Sequence, residues 1–272
     1  MVFGVRICWS FRGFVMIEVV LIGDKESKRC QPLQILFRGD TRFNVSIIKP
    51  VFLKSMDDSL LKFLAYDVEK SKAFNMRELS LGEIGCAIAH NNARELLAKN
   101  GVGGLVLEDD ARIPSLDYLH KIAIHFLSST KNPSLLNCSV NLKLDQMKDS
   151  SGFDPVFQKR LTPSPLAVGY MVNHSGAEML NKANRSINWV ADWPYSKVVY
   201  YRLQIPAIAH GDNDSGSLID PLGNLNRSGN RLKRRFLLFS FTHFLRNRMH
   251  FKSLKFYVVS MLLPRIFHSL NL

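Results

Sequence analysis

The chain has 272 residues, of which 46% are hydrophobic and 22% are charged, so it is long enough to bury the core of one or two globular domains. Its four cysteines, Cys8, Cys30, Cys86 and Cys138, have no paired spacing. This spacing excludes a zinc-finger pattern and a disulfide framework, and it favours a reducing compartment. Lys and Arg outnumber Asp and Glu by 36 to 23, a formal net charge of +13, so anionic partners are expected.

The first fifteen residues precede the first predicted strand and carry Arg6 and Arg12 among apolar side chains. Their apolar stretch is short and has no small-residue cleavage site, so we interpret residues 1–15 as an extension outside the fold. Hydrophobic patterning then predicts a strand at 17–22, a helix at about 26–38, a strand at 43–48 and an irregular stretch to about 75.

A longer helix is predicted from the sequence that follows. Ser80 and Glu83 form a capping box, so the helix should begin near Leu81, and Asn100-Gly101 is a typical stop signal. Glu83 and His90 are seven residues apart and therefore share one helix face. Two interpretations stay open for each: Glu83 is a functional acid or only the cap, and His90 is a functional group or a core histidine bonded to a backbone carbonyl.

Three consecutive acids end the next predicted strand, which is the apolar run within residues 103–111. At the carboxyl end of a central strand, Glu108, Asp109 and Asp110 would reach the crevice where open α/β sheets bind ligands. Alternation along a strand predicts that Glu108 and Asp110 face one way and Asp109 the other. Such a cluster is suited to Mg²⁺ or Mn²⁺ together with substrate phosphates, and the alternative is a solvated turn with a capping aspartate.

The remaining elements complete an alternating pattern of strands and helices. We predict a helix near 114–129, a mobile polar loop at 140–160, a strand near 166–172, a helix at 175–183 and an extended or looped element at 205–217. This alternation predicts an α/β sheet with helices on both faces.

One known family shows the same motif order. Glu78-Leu79-Ser80, Gly82-Glu83-Ile84-Gly85-Cys86 and His90, followed by a hydrophobic strand and Glu-Asp-Asp-Ala, resemble glycosyltransferase family 25. Gly169 to Leu180 and the later Asp192 resemble a second element of that family, whereas Gly23 departs from its usual Asn-Leu opening. The resemblance covers roughly 16–220 and implies a GT-A type, Rossmann-like nucleotide-sugar domain, with 1–15 and 221–272 as flanking segments.

The resemblance also implies a chemistry and a set of roles. It implies inverting transfer of a hexose, with galactose as the first candidate, from a UDP-sugar donor to a saccharide or glycolipid acceptor, assisted by Mn²⁺ or Mg²⁺. Asp110 and Glu108 are the expected metal ligands, and Asp192 is the expected general base with Glu83 as its competitor. The residues expected to bind substrate are Glu108, Asp109, Arg77, His90, Tyr170 and Trp193. Arg29 is a further candidate for phosphate, and His210 or Asp212 for the metal.

Several of these residues have an ordinary alternative. Tyr170 is equally well explained as a tyrosine of the core strand, and Asp192 as a loop residue that caps the following turn. At the level of the whole chain, a non-catalytic membrane-surface or sugar-binding relic of the family is the alternative function. A nucleic-acid-binding protein is indicated by charge alone, and no nucleic-acid motif supports it.

The C-terminal segment has a composition of its own. No acidic residue follows Asp220, whereas residues 231–265 contain nine basic side chains among Phe and Leu. This pattern predicts an amphipathic segment on an anionic membrane, and hence a cytoplasmic protein peripheral to the inner face of the cytoplasmic membrane. A basic helix packed on the main domain and an RNA-binding tail are the alternatives.

Overall fold

A computed structural model describes residues 16–53, 59, 63–64, 66–75, 78–140, 147, 152–161, 167–191 and 196–211. These residues all belong to one compact unit, Met1–Arg227. The predictions for residues 1–15, Arg77, Asp192, Trp193, Asp212 and 221–272 lie outside the described residues.

The described ranges form short strands and helices in alternation along the chain. The strands are β1 Ile17–Ile22, β2 Phe43–Ile48, β3 Gly104–Glu108, β4 Ala111–Arg112, β5 Ser134–Asn137, β6 Ser139–Val140, β7 Phe157–Arg160, β8 Gly169–Val172, β9 Val199–Leu203 and β10 Ile208–His210. The helices are α1 Gln31–Phe37, α2 Val68–Asn75, α3 Leu81–Lys99, α4 Leu116–Ser129 and α5 His174–Ala183. None of these helices is long and apolar enough to cross a membrane.

A seven-stranded sheet in the order β2-β1-β3-β8-β5-β9-β7 is the centre of the molecule. β1 is parallel to β2 and β3, and β5 is parallel to β9. β8 runs antiparallel between β3 and β5, and β7 runs antiparallel at the edge beside β9. A small second sheet has the order β4-β10-β6, and all three of its strands follow β3 in the sequence. The predicted α/β fold is confirmed, and the strands of the sheet run mostly parallel, with β8 and β7 in the opposite direction.

Hydrophobic side chains alternate between the two faces of this sheet. From β1, Val19 and Leu21 pack with α1 and α4, whereas Val20 and Ile22 pack with α3 and α5. β3 divides in the same way, because strand residues point alternately to opposite faces. Burial of each Leu, Ile or Val stabilises the fold by roughly 1.5–3 kcal/mol, so both helical layers are held by this alternation.

The helix that packs over β1 and β3 begins and ends where the sequence predicts. Ser80 accepts a hydrogen bond from the Glu83 backbone N–H, and the Glu83 carboxylate accepts one from the Ser80 backbone N–H, so the capping box is confirmed. The helix stops at Lys99, and Gly101 has a φ of 70°, a left-handed conformation that glycine adopts without strain.

Three predicted elements differ from the structure. The first helix is shorter than the predicted 26–38, because residues 24–30 form turns and Pro32 lies in the first helical turn. The stretch predicted to be irregular up to about 75 contains α2, and the predicted loop at 140–160 contains β7 at its end. The β7 side chains are mostly exposed, so this strand depends on backbone pairing with β9, a contact that local patterning does not report.

Candidate active site

The acidic triplet lies where β3 ends, at the same edge of the sheet as the end of β1. β3 ends at Glu108, and Asp109 and Asp110 form the turn that leads into β4. Gly23 follows β1, and a Cβ atom at this position would lie 2.9 Å from the Asp109 Cβ. Gly23, which differs from the Asn-Leu opening of the family, fits this close approach, because a larger side chain would collide with Asp109.

Arg29 binds the two aspartates of the triplet. Its Nη2 atom lies 3.1 Å from Asp109 Oδ1 and 3.1 Å from Asp110 Oδ2. The sequence predicted that Asp109 would face away from Glu108 and Asp110. Instead, β3 ends at Glu108, and the turn that follows brings both aspartates to the Arg29 guanidinium. Arg29 was a candidate for phosphate contact, and the structure places it next to the triplet.

Burial and mutual repulsion act on both aspartates. Burial raises the pKa of Asp109, and Asp110 and Glu108 add to this effect against the opposing charge of Arg29. Burial also raises the pKa of Asp110, with repulsion from Glu108 as the next cause. Among the described residues, Arg29 is the one Lys or Arg in direct contact with the triplet, so a bound cation would stabilise this arrangement.

Asp110 also has a carboxylate oxygen whose hydrogen-bonding capacity is unused in the described part of the chain. Its Oδ1 atom is buried and has no hydrogen-bond partner among the described residues. On the other side, His210 Nε2 lies 3.5 Å from Asp110 Oδ2, and the Gly211 N–H donates to the Asp110 carbonyl at 2.7 Å. His210 thus lies next to the triplet, as its candidacy for the metal shell requires.

Glu108 contacts α3 through His90. His90 Nε2 lies 2.9 Å from Glu108 Oε1. Burial raises the pKa of Glu108, but contact with His90 and the nearby His210 and Arg29 outweigh burial and hold the pKa below its ordinary value. The Glu108 side chain is 23% exposed, whereas that of His90 is fully buried.

Two residues predicted to bind substrate are in the core. His90 is 0% exposed and Tyr170 is 4% exposed, and their rings stack with centroids 5.7 Å apart. The burial of the Tyr170 ring between the sheet and α3 agrees with the alternative, a tyrosine of the core strand, and its stacking on a base or sugar stays a prediction. His90 is bonded to the side chains of Tyr170 and Glu108, and a backbone carbonyl is not its partner as the alternative proposed.

One residue at this site was missed by sequence reasoning. Cys86, His90 and Glu108 offer ligand atoms within 4.8 Å of one another, a group that could hold a metal ion. Thiolate, imidazole and carboxylate together are typical of Zn²⁺ rather than of Mg²⁺. The signal for Cys86 was available in the sequence, since Cys86 and His90 are four residues apart on a predicted helix and share a face.

Of the two candidates for the general base, the structure describes Glu83 but not Asp192. Glu83 is the acid of the capping box, with its Oε2 atom 2.9 Å from the Ser80 nitrogen. Asp192, Trp193 and Arg77 are outside the described residues. The chain leading to Asp192 passes over α3, where Asn188 and Trp189 line a small pocket with Asn91 and Arg94.

The residues present fit a hard divalent ion. The unpartnered Asp110 Oδ1 and the exposed part of Glu108 are oxygen ligands, which Mn²⁺ and Mg²⁺ prefer. Burial, followed by repulsion between the neighbouring carboxylates, raises the pKa values of Asp109 and Asp110. An ion held at Asp110 would offset both effects.

A comparison with models of protein families identifies the same family that the sequence motifs resemble. The model for glycosyltransferase family 25 (LPS biosynthesis protein) matches residues 24–195, more than half of the chain. No curated protein matches the chain. The matched range contains Arg29, α3, the acidic triplet and β8, which together build the site on a Rossmann-like sheet. The chain therefore belongs to glycosyltransferase family 25, a family of glycosyltransferases in lipopolysaccharide biosynthesis.

Proposed function

We propose that this protein transfers a hexose, with galactose as the first candidate, from a UDP-sugar to a saccharide acceptor of lipooligosaccharide or another surface glycan. The reaction inverts the anomeric centre and is assisted by a divalent ion. One observation carries the proposal: in a chain of this family, the acidic triplet ends a buried strand and Asp110 presents a buried oxygen without a hydrogen-bond partner in the described part of the chain.

Each residue of the triplet has a task in this proposal. Asp110 and Glu108 hold Mn²⁺ or Mg²⁺, which supplies Lewis-acid stabilisation to the diphosphate leaving group when it is bound. Arg29 keeps the two aspartates in place and adds positive charge beside the phosphates. Asp109 contacts a donor hydroxyl or braces the turn, since it shares Arg29 with Asp110.

An inverting displacement needs one base for the acceptor hydroxyl. Asp192 is our candidate, and Trp193 beside it would form a platform for a sugar ring. The engagement of Glu83 in the capping box supports this choice, because a carboxylate that accepts the Ser80 N–H is less free to take a proton. Carboxylates also stabilise the oxocarbenium character of such a transition state.

The place of action follows from the proposed acceptor. If the acceptor is a glycolipid, the basic segment 231–265 would hold the protein on the anionic inner face of the cytoplasmic membrane. The proposed partners are thus a UDP-sugar, a saccharide or glycolipid acceptor and an anionic membrane surface, without nucleic acid.

A screen of UDP-sugars with and without Mn²⁺ tests the activity, and Asp110→Asn tests the site. We expect wild-type turnover to need the ion, and Asp110→Asn to abolish transfer while the protein still melts cooperatively. The fold should tolerate the amide, because burial and repulsion already disfavour the charged form of Asp110. Asp154→Asn is the matched control, since Asp154 is 87% exposed and its loss should leave turnover unchanged.

Three outcomes would count against parts of the proposal. Full turnover of Asp110→Asn at saturating Mn²⁺ would remove the metal role of this residue. Mn²⁺-dependent UDP binding without transfer to any acceptor would favour the non-catalytic sugar-binding alternative. Absence of UDP binding under all conditions would contradict the nucleotide-sugar donor itself.

A further inference from the structure

A chain of hydrogen bonds leads from the core to Glu108. Arg94 Nη1 donates to the Tyr170 hydroxyl oxygen at 3.1 Å, the Tyr170 hydroxyl lies 3.2 Å from His90 Nδ1, and His90 Nε2 lies 2.9 Å from Glu108 Oε1. Arg94, Tyr170 and His90 are all buried, with 2%, 4% and 0% of their surface exposed. Only the last member, Glu108, is partly exposed.

The donors and acceptors of this chain can be arranged in one direction throughout. A guanidinium can only donate, so the Tyr170 oxygen accepts from Arg94 and its single proton is free to point at His90 Nδ1. A neutral imidazole that accepts a hydrogen bond at Nδ1 carries its proton at Nε2. The Nε2–H bond is then directed at Glu108, which as a carboxylate can only accept.

We propose that Arg94 and Tyr170 are positioning residues, which hold His90 in its Nε2–H tautomer and thereby fix the orientation of the Glu108 carboxylate in the donor site. The catalytic consequence rests on the proposed function, because it requires that Glu108 contacts the ion or the donor. The tautomer itself does not depend on that function.

The burial of Arg94 supports a role beyond packing. In the described part of the chain, its hydrogen bonds go to the neutral groups of Tyr170 and Asn91, and its Nε atom has no partner. Burying a cation without a carboxylate in contact costs free energy, and an apolar side chain would serve the core better. Its obligate donation to Tyr170 accounts for its presence, because a Tyr170 oxygen that accepts from Arg94 keeps its own proton available for His90 Nδ1.

The first experiment measures the tautomer directly. Protein labelled with ¹⁵N-histidine reports by NMR which ring nitrogen of each histidine carries the proton, and the His90→Gln spectrum assigns the His90 signals. We expect the Nε2–H form of His90 in the wild type. We expect Tyr170→Phe to shift the His90 Nδ1 signal, because Nδ1 loses its donor while the ring volume is kept and Glu108 still accepts from Nε2–H.

Tyr118→Phe is the matched control for this change. Tyr118 is 1% exposed and its hydroxyl donates to the Ile205 carbonyl at 3.2 Å, on the opposite face of the sheet. It therefore loses a buried hydroxyl and a hydrogen bond of the same kind, but the His90 Nδ1 signal and the turnover should stay as in the wild type.

The second experiment measures the catalytic consequence. We expect Tyr170→Phe to lower kcat/KM for the donor by about 10–100-fold, the usual effect of removing a group that orients a site residue from behind. His90→Gln keeps a donor at the Nε2 position, whereas His90→Asn keeps only the Nδ1 side. His90→Gln should therefore retain more activity than His90→Asn, an order that loss of packing would not produce.

Several results would overturn the inference. A wild-type His90 protonated at Nδ1 contradicts it, as does a Tyr170→Phe variant with an unchanged Nδ1 signal and unchanged turnover. If Tyr170→Phe does not fold, the wild-type tautomer and the order of the two His90 variants still decide. If the wild type transfers no sugar, the proposed function fails, while the tautomer measurement continues to test the chain of hydrogen bonds.

Discussion

At the residue scale, two arginines each bind two carboxylates and join separate elements. Arg29, from the turns before α1, binds Asp109 and Asp110 at the site. Arg42, just before β2, binds Asp40 and the exposed Asp117 of α4. A planar guanidinium matches carboxylates geometrically, so both contacts also fix the position of the chain around them. The first contact shapes the site, and the second stabilises the fold alone.

Asp40→Asn should make the stability of the protein less dependent on acid. The hydrogen bond with Arg42 holds the pKa of Asp40 below its ordinary value. A carboxyl whose pKa is lowered by folding contributes stability above its unfolded pKa of about 3.9, and this contribution is lost as the pH falls through the folded value. The melting temperature of the wild type should therefore exceed that of Asp40→Asn near neutrality and approach it as the pH falls below about 4.

Asp117→Asn is the control for this comparison, since it removes the exposed partner of the same guanidinium. It should cost less at neutral pH, because solvent screens exposed pairs. A difference between wild type and Asp40→Asn that stays constant from neutral to acidic pH would contradict the assignment.

Asp192→Asn should separate binding from chemistry. If Asp192 is the base, the variant keeps its affinity for the UDP-sugar but transfers about 10²–10⁴-fold more slowly, the usual contribution of a positioned base. Calorimetry with the donor and single-turnover transfer measure the two effects, and a melting curve checks the fold. Loss of donor affinity without a separate effect on turnover would place Asp192 in the nucleotide pocket instead.

At the element scale, α3 connects the fold to the site. Its first turn carries the capping box, its middle carries Cys86 and His90, and its later turns pack Ala93 and Leu97 against the sheet. The helix passes very close to the segment after β2, because Gly85 has no side chain. The position of His90 against Glu108 therefore depends on how closely this helix approaches its neighbours.

Gly85→Ala should destabilise the protein although alanine is the better helix former. In an open helix position, this change stabilises by about 1 kcal/mol. Here the new Cβ atom would lie 2.0 Å from the Val51 carbonyl oxygen, a backbone atom, so the helix or the segment must move. We expect a lower melting temperature and a lower kcat/KM, because the movement also displaces His90.

Gly152→Ala makes the same chemical change at a position where, among the described residues, no atom lies within 4 Å of the new Cβ atom. This control should be close to neutral in both measurements. A Gly85→Ala protein that melts at or above the wild-type temperature would show that α3 has more freedom than its close approach to Val51 implies.

At the scale of the whole molecule, charge is distributed unevenly along the chain. The acids expected to bind a cation lie in the domain, whereas the segment after Asp220 carries basic and aromatic residues without a single acid. Basic side chains near an anionic surface contribute about 1 kcal/mol each before salt screening. This composition is the ground for the predicted membrane attachment, and the segment lies outside the described residues.

Truncation after Ser217 should release the protein from anionic vesicles and leave transfer to a soluble acceptor analogue largely intact. Co-sedimentation with anionic and neutral vesicles, at low and high salt, measures the attachment. The full-length chain is the reference in each case, and its binding should weaken with salt. Equal binding to both vesicle types would remove the electrostatic argument, and collapse of the truncated protein would show that the segment packs on the domain.

Local signals in the sequence determined the helices and strands that build the site. The capping box set the start of α3, Asn100-Gly101 set its end, and apolar runs set β1 and β3, because caps and periodicity act between residues a few positions apart. The acidic triplet and the family motif were visible for the same reason. These elements alone were sufficient for the fold class and for the edge of the sheet that carries the site.

Only the tertiary structure decided which of these residues meet. The antiparallel β8 beside β3 brings Tyr170 to His90, the turn after β3 brings Asp109 and Asp110 to Arg29, and β7 exists as the partner of β9. Each contact joins residues that are distant in the chain, and its formation depends on sheet order and on burial rather than on local propensity. For that reason the sequence by itself could name Tyr170 as a site residue, but its place in a buried chain of hydrogen bonds required the fold.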